Sequence, residues 1–346
     1  MSSDTIDLKY IEEHKDGIDN ISPDGETILM LYLKDLYEVT DETFKVIEIL
    51  SSNIGKQDKT GSTALLYYIK CSSSLDLNVI KALKDEINIA DDCGKTPLMM
   101  AAYHKLSFIT DDILDELNEN IGKQDNKGFT ALMEIMKKIS VNKLNSIIEK
   151  LKPEIGKQTK TGTTALMLAC LFNIISPEII ELLKDEIYLR DNIGRTPLMA
   201  LMNGRNIFGV EAKICKCIKM LSSEIGKKDV NGNTALIIYC SRQSVNIPII
   251  SCLSEEITKQ NKLKKTALMV YCSNRHIKFI DTNIIIRLRN EIGMVDSRHM
   301  SALSYLYKYN SNKINNNIIN LLSIEFNYSQ MPYQRQFIYP PLQKIF

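Results

Sequence analysis

The chain has 346 residues, 44% of them apolar and 25% charged, a balance that excludes a disordered polymer and leaves enough material for a sizeable core. Lysine plus arginine (43) nearly cancels aspartate plus glutamate (42), so no summed field draws the chain to nucleic acid or to an anionic membrane. No run of about 18 uncharged apolar residues occurs and charge begins at Asp4, so neither a membrane span nor a secretory leader is expected.

Residues 1–20 read as a partly helical N-terminal cap that uses Ile6, Leu8, Tyr10 and Ile11. From residue 21 onward one pattern takes over. The string T-A-L or T-P-L returns at intervals of 32 to 38 residues, with its threonine at Thr27, Thr63, Thr96, Thr130, Thr164, Thr196, Thr234 and Thr266, and with Ser301 in the last copy. Five residues earlier stands an aspartate in most copies (Asp58, Asp91, Asp125, Asp191, Asp229, Asp296), and two earlier a glycine (Gly25, Gly61, Gly94, Gly128, Gly162, Gly194, Gly232). A fixed period of this length is the mark of a repeat architecture.

Each part of the unit has a physical reason. The aspartate can accept bonds from nearby backbone N–H groups and the glycine supplies a positive φ, which together predict a tight turn. The threonine is suited to cap a helix, and Pro97 and Pro197 follow it where a missing N–H costs nothing. A first helix is therefore expected after each threonine. A second follows about ten residues later, marked by Ser176-Pro177-Glu178 before Ile179–Leu183, and by Val79–Leu83, Ser146–Leu151 and Asn283–Leu288. The unit closes with Glu-Ile-Gly-Lys-Gln-Asp or a variant of it. Lys264 and His299 replace the turn glycine in the last two copies, which puts their turn geometry in question.

A turn followed by two antiparallel helices, with the motif D-x-x-G-x-T-[AP]-L, resembles the ankyrin repeat over residues 21–323, most fully in Asp91–Leu98 and Asp191–Leu198. The resemblance implies an all-α, ankyrin-like solenoid of about eight to nine turn–helix–helix repeats. Its Thr-Ala-Leu-Met dialect departs from the family: the histidine after T-P-L is replaced by Met99, Met133, Met167, Met199, Met269, Leu66 or Ile237. Residues 324–346 carry Phe326, Tyr328, Tyr333, Phe337, Tyr339 and Phe346 among three prolines, and form either a cap over the last repeat or a docking tail.

Catalytic and metal signatures are weak. Gly94-Lys95-Thr96 imitates the end of a phosphate loop, but Ile89 stands where such a loop needs glycine, and other copies read Gly-Arg-Thr or Gly-Asn-Thr. Cys170, Cys240 and Cys272 share one repeat position and read as small apolar residues, while Cys215 and Cys217 have no matching pair nearby in sequence. Eight cysteines in no even framework point to a reducing, cytoplasmic setting. Four histidines offer no triad, so no enzyme activity, cofactor or metal is expected.

Binding of another protein remains. The resemblance implies contact through turn tips and the concave side of the first helices, here Lys59, Asp92, Asn126, Lys127, Lys160, Asn192, Asn231 and Lys262 at the tips. On the first helices the position four after the threonine gives Tyr67, Met100, Leu168, Ile238, Val270 and Tyr305, an apolar stripe that is either core or a partner site. The function expected is a stand-alone interaction scaffold. The alternative is an adaptor that recruits cargo to a larger complex such as a ubiquitin ligase.

Overall fold

A computed structural model describes residues 8–13, 21–138, 144–172, 174–204 and 209–323. Of the expected N-terminal cap, helix Leu8–Glu13 is described, and the expected C-terminal cap or tail, 324–346, lies outside the described residues. Among the described residues the chain is helical, with a lone extended pairing between Ile21 and Thr27. It divides into two units, residues 1–239 with 248–256, and residues 240–247 with 257–346.

The turn forms as the aspartate dictates. Asp91 Oδ1 accepts the N–H groups of Cys93 (2.9 Å) and Lys95 (2.8 Å), and Gly94 N–H donates to the Asp91 carbonyl at 2.7 Å. At Gly162 two demands meet: φ is +78°, and an added Cβ would sit 2.7 Å from the Asn192 backbone nitrogen of the next turn. Lys264 and His299 take the same left-handed conformation, with φ of 57° and 59°. That conformation costs a side-chain-bearing residue roughly 1–2 kcal/mol. It is held because Asn261 Oδ1 still accepts from Leu263 and Lys265, and Asp296 Oδ1 from Arg298 and Met300.

Each threonine then caps its helix. Thr96, Thr164, Thr196 and Thr266 accept the N–H three residues on, from Met99, Met167, Met199 and Met269, and open the helices Pro97–His104, Ala165–Leu171, Pro197–Asn203 and Ala267–Ser273. The leucine two after the threonine is the centre of each copy's core. Leu65, Leu98, Leu132, Leu166, Leu198, Leu236 and Leu268 are fully buried.

Neighbouring copies pack like on like. In the first unit, first helices contact first helices from Ile28–Lys34 through Ala64–Cys71, Pro97–His104, Ala131–Ile135 and Ala165–Leu171 to Pro197–Asn203. Second helices do the same along Asp41–Ile49, Leu77–Ala82 and Asp111–Glu116, and along Leu144–Lys150, Pro177–Leu182 and Glu211–Met220. In the second unit Ala267–Ser273 meets Ala302–Tyr309, and Thr282–Arg287 meets Asn316–Ser323.

The closing segment carries a feature that hydrophobic patterning misses. After six of the second helices a single 3₁₀ turn ends on a buried acid, Glu86, Glu154, Glu186, Glu224, Glu256 or Glu291, while after Asp41–Ile49 and Asp111–Glu116 it ends on a buried amide, Asn53 or Asn120. One carboxylate oxygen accepts the N–H of the core leucine of the same copy (Leu65, Leu132, Leu166, Leu198, Leu236 and Leu268) at 2.6 Å each time. The acid therefore satisfies the helix N–H that lies one residue before the N–H taken by the threonine. Its other oxygen reaches the copy before, accepting from Gly55, Gly122, Gly156, Gly226 and Thr258 at 2.7–3.0 Å. Bonds to a buried charge contribute about 1.5–3 kcal/mol each, which offsets the cost of taking the carboxylate from water. Burial nevertheless pushes Glu86, Glu154, Glu186 and Glu291 above the usual carboxylate range.

Candidate functional site

Consecutive turns are stitched by main-chain bonds. The N–H of Lys59 donates to Asp24, Asp92 to Thr60, Asn126 to Cys93, Lys160 to Lys127, Asn192 to Thr161 and Val230 to Ile193, all at 2.8–3.0 Å. Within the second unit Ser297 donates to Leu263 at 2.9 Å. Asn126 and Asn192 add their side-chain amides, which donate to the carbonyls of Asp92 (2.7 Å) and Lys160 (2.9 Å). The backbone of the tips is thereby fixed, while the side chains of Lys59, Asp92, Asn126, Lys127, Lys160, Asn192, Asn231 and Lys262 stand exposed.

The position four after the threonine lies deeper. Met100, Leu168 and Tyr305 are buried, and Tyr67, Ile238 and Val270 are half-buried. In three copies the residue one before the threonine of the preceding copy lies against this column. The Tyr67 hydroxyl donates to Glu26 Oε1 (2.9 Å) and to Asp58 Oδ2 (2.8 Å). Glu134 faces Lys95 at 3.6 Å, and Lys265 Nζ lies 4.6 Å from the centre of the Tyr305 ring. The Tyr305 hydroxyl donates to Asp296 Oδ2 at 2.6 Å. Burial, then the Asp58 and Glu26 carboxylates, push the Tyr67 hydroxyl well above its usual range, so it acts as a fixed donor.

The outward-facing columns on the first helices are thus other ones: the residue before the threonine, and those seven and eight after it. Glu26 with Lys34 (2.9 Å), Lys95, Lys137, Lys138, Lys70, Tyr103 and His104 belong to them. Nothing in the apolar stripe of the sequence points to these positions. The signal that would have found them is charge and aromatic content at a fixed offset from the threonine.

The cysteines are placed as packing groups. Cys170, Cys217, Cys240 and Cys272 are buried. Cys215 approaches Cys252 of the following copy, and burial together with that neighbour pushes its thiol up to about 12, so it stays protonated. Among the described residues no group of three histidine, cysteine, aspartate or glutamate side chains could hold a metal ion, and no helix is long and apolar enough to cross a membrane. Neither a family model nor a curated protein matches the chain.

Proposed function

We propose that the chain is an ankyrin-like solenoid whose work is to hold another protein, without catalysis, against its turn tips and the outward columns of its first helices. The observation that carries this reading is the stitched row of turns. Its main chain is locked from copy to copy while the projecting side chains differ from copy to copy. A rigid frame with variable exposed groups is the arrangement that gives loops specificity at little entropic cost.

Cross-linking tests the reading. The full chain, with the partner it captures, is cross-linked through lysines and the linked peptides are identified. Links expected are those of Lys59, Lys127 and Lys160 at the tips and of Lys70 or Lys138 on the first helices. Replacing Lys59, Lys127, Lys160 and Lys262 together by alanine, exposed side chains that take no part in the bonds between turns, should weaken capture at least tenfold with an unchanged melting curve. Capture that survives this change, with links confined to Lys216 and Lys219 on the second helix Glu211–Met220, would refute it.

A further inference from the structure

The chain as a whole is nearly neutral, yet its charge is not evenly spread. Around the end of the helix Pro97–His104, lysines from three consecutive copies converge. The Tyr103 side chain, 39% exposed, holds two ammonium groups over its ring, with Lys138 Nζ 4.2 Å and Lys95 Nζ 4.9 Å from the ring centre. His104 stacks edge-on against the Tyr103 ring at 4.7 Å. Burial, followed by the fields of Lys70, Lys138, Lys95 and Lys105, holds the His104 imidazole below its ordinary range. Lys137 lies 3.7 Å from the centre of the Phe129 ring on the next copy.

The acid present is already taken. Glu134 is buried and bonds Lys137 at 2.8 Å while facing Lys95 at 3.6 Å. Lys105 donates to the Ser72 carbonyl, which leaves its charge unneutralised. Among the described residues Lys70 and Lys138 have no carboxylate within ion-pair distance. Lysines near a helix C-terminus complement its dipole, and that alone accounts for Lys70 on Ala64–Cys71. It does not account for two cations from different copies gathered on one exposed tyrosine ring, where each raises the cost of the other. An arriving anion relieves that repulsion.

From this geometry we infer that the face formed by Lys70, Lys95, Tyr103, His104 and Lys138 docks an acidic, extended peptide segment of a protein partner. This rests on the scaffold reading above and names the chemistry that one part of it recognises. Packed helices lie about 8–10 Å apart, so Lys70 and Lys138, two junctions apart, are separated by roughly 16–20 Å. An extended chain covers that span in about six residues, with every second side chain on the same face. Three alternating carboxylates therefore match the patch. Nucleic acid fits it less well, since tight phosphate binding needs a longer run of cations than this face offers between the buried Glu134 and the acids Glu26 and Asp58 farther along.

The test uses the full chain and a fluorescein-labelled eight-residue peptide of alternating glutamate and serine, read by anisotropy at low salt. Saturable binding is expected, lost on raising salt, and weakened at least tenfold by Lys70→Glu with Lys138→Glu. The pair Lys216→Glu with Lys219→Glu changes net charge equally on a different helix and should shift the affinity less than twofold. Helical signal and melting of both variants show that each is folded. Equal weakening by both pairs would mean that total charge attracts the peptide, and the inference fails. It also fails if the peptide does not bind, or if a single-stranded oligonucleotide of equal charge binds more tightly than the peptide. In each of these cases capture of a partner at the tips can still succeed, so the scaffold reading stands or falls separately.

Discussion

Glu224 is the one acid of the buried series whose second oxygen has no hydrogen-bond partner among the described residues. The reason lies in the copy before it. Where the other acids meet the N–H of a residue with positive φ, such as Gly122 or Thr258, the equivalent segment here runs through Ile187 in a helical conformation, φ −56° and ψ −33°. The same turn occurs at Ile87, φ −55° and ψ −34°, and the next copy answers it with an amide: Asn120 Nδ2 donates to the Ile87 carbonyl at 2.9 Å. Glu224 thus brings an acceptor to a place that wants a donor. Burial pushes its carboxyl up to about 7, against the N–H of Leu198 and the hydroxyl of Thr196, which pull it down. A raised carboxyl binds its proton more tightly in the folded chain. Its contribution is therefore complete below pH 4.5 and is lost as pH rises through about 7, a loss of about 3 kcal/mol. Glu224→Gln supplies the missing donor at every pH. Urea unfolding should show the variant more stable than the parent by about 2–3 kcal/mol at pH 8 and within about 1 kcal/mol of it at pH 5. Glu154→Gln, whose acid meets two N–H groups, should destabilise at pH 8 by about 1–3 kcal/mol. If Glu224→Gln is as destabilising at pH 8 as Glu154→Gln, the mismatch argument is wrong.

Further outcomes follow from the packing. Leu166→Ala empties a fully buried position and should lower stability by about 2–5 kcal/mol; an unchanged urea midpoint would contradict the register of the copies. Gly162→Ala should cost clearly more than Gly156→Ala, because both have positive φ but only the first would push a Cβ into the next turn, at Asn192; equal melting temperatures would refute the close approach. Chelator and reductant should leave the helical signal unchanged, since no disulfide links the cysteines; a large loss under either would overturn that reading. Lys70→Gln with Lys138→Gln removes two of the fields acting on His104, so its imidazole should titrate at higher pH by NMR than in the parent.

Much of this fold was legible from local chemistry. The turn aspartates, the positive-φ glycines and the threonine caps each act within a few residues, so a short motif states them fully. The two copies without glycine were readable only in part: nothing local says whether Lys264 or His299 will accept a left-handed backbone, because the bonds that compel it come from Asn261 and Asp296. The buried glutamates were hidden for a different reason. Each stands some 20 to 26 residues from the N–H group it caps, and in sequence it looks like any acid in a polar loop. The outward columns escaped notice because an apolar stripe on a short helix identifies its buried side, whereas the exposed side is defined by what the neighbouring copy leaves uncovered.

The second oxygen of each buried acid has a consequence for how such an array can change over time. A copy ending in a positive-φ glycine requires an acid in the copy that follows it, and a copy ending in a helical turn requires an amide. The repeats are therefore not interchangeable bricks but tokens with matched edges. Duplicating one copy, or recombining two arrays, creates a new junction that obeys this pairing or leaves a buried group stranded. The junction ahead of Glu224 has the form that a past rearrangement of this kind would leave behind, and a single nucleotide change to glutamine would mend it.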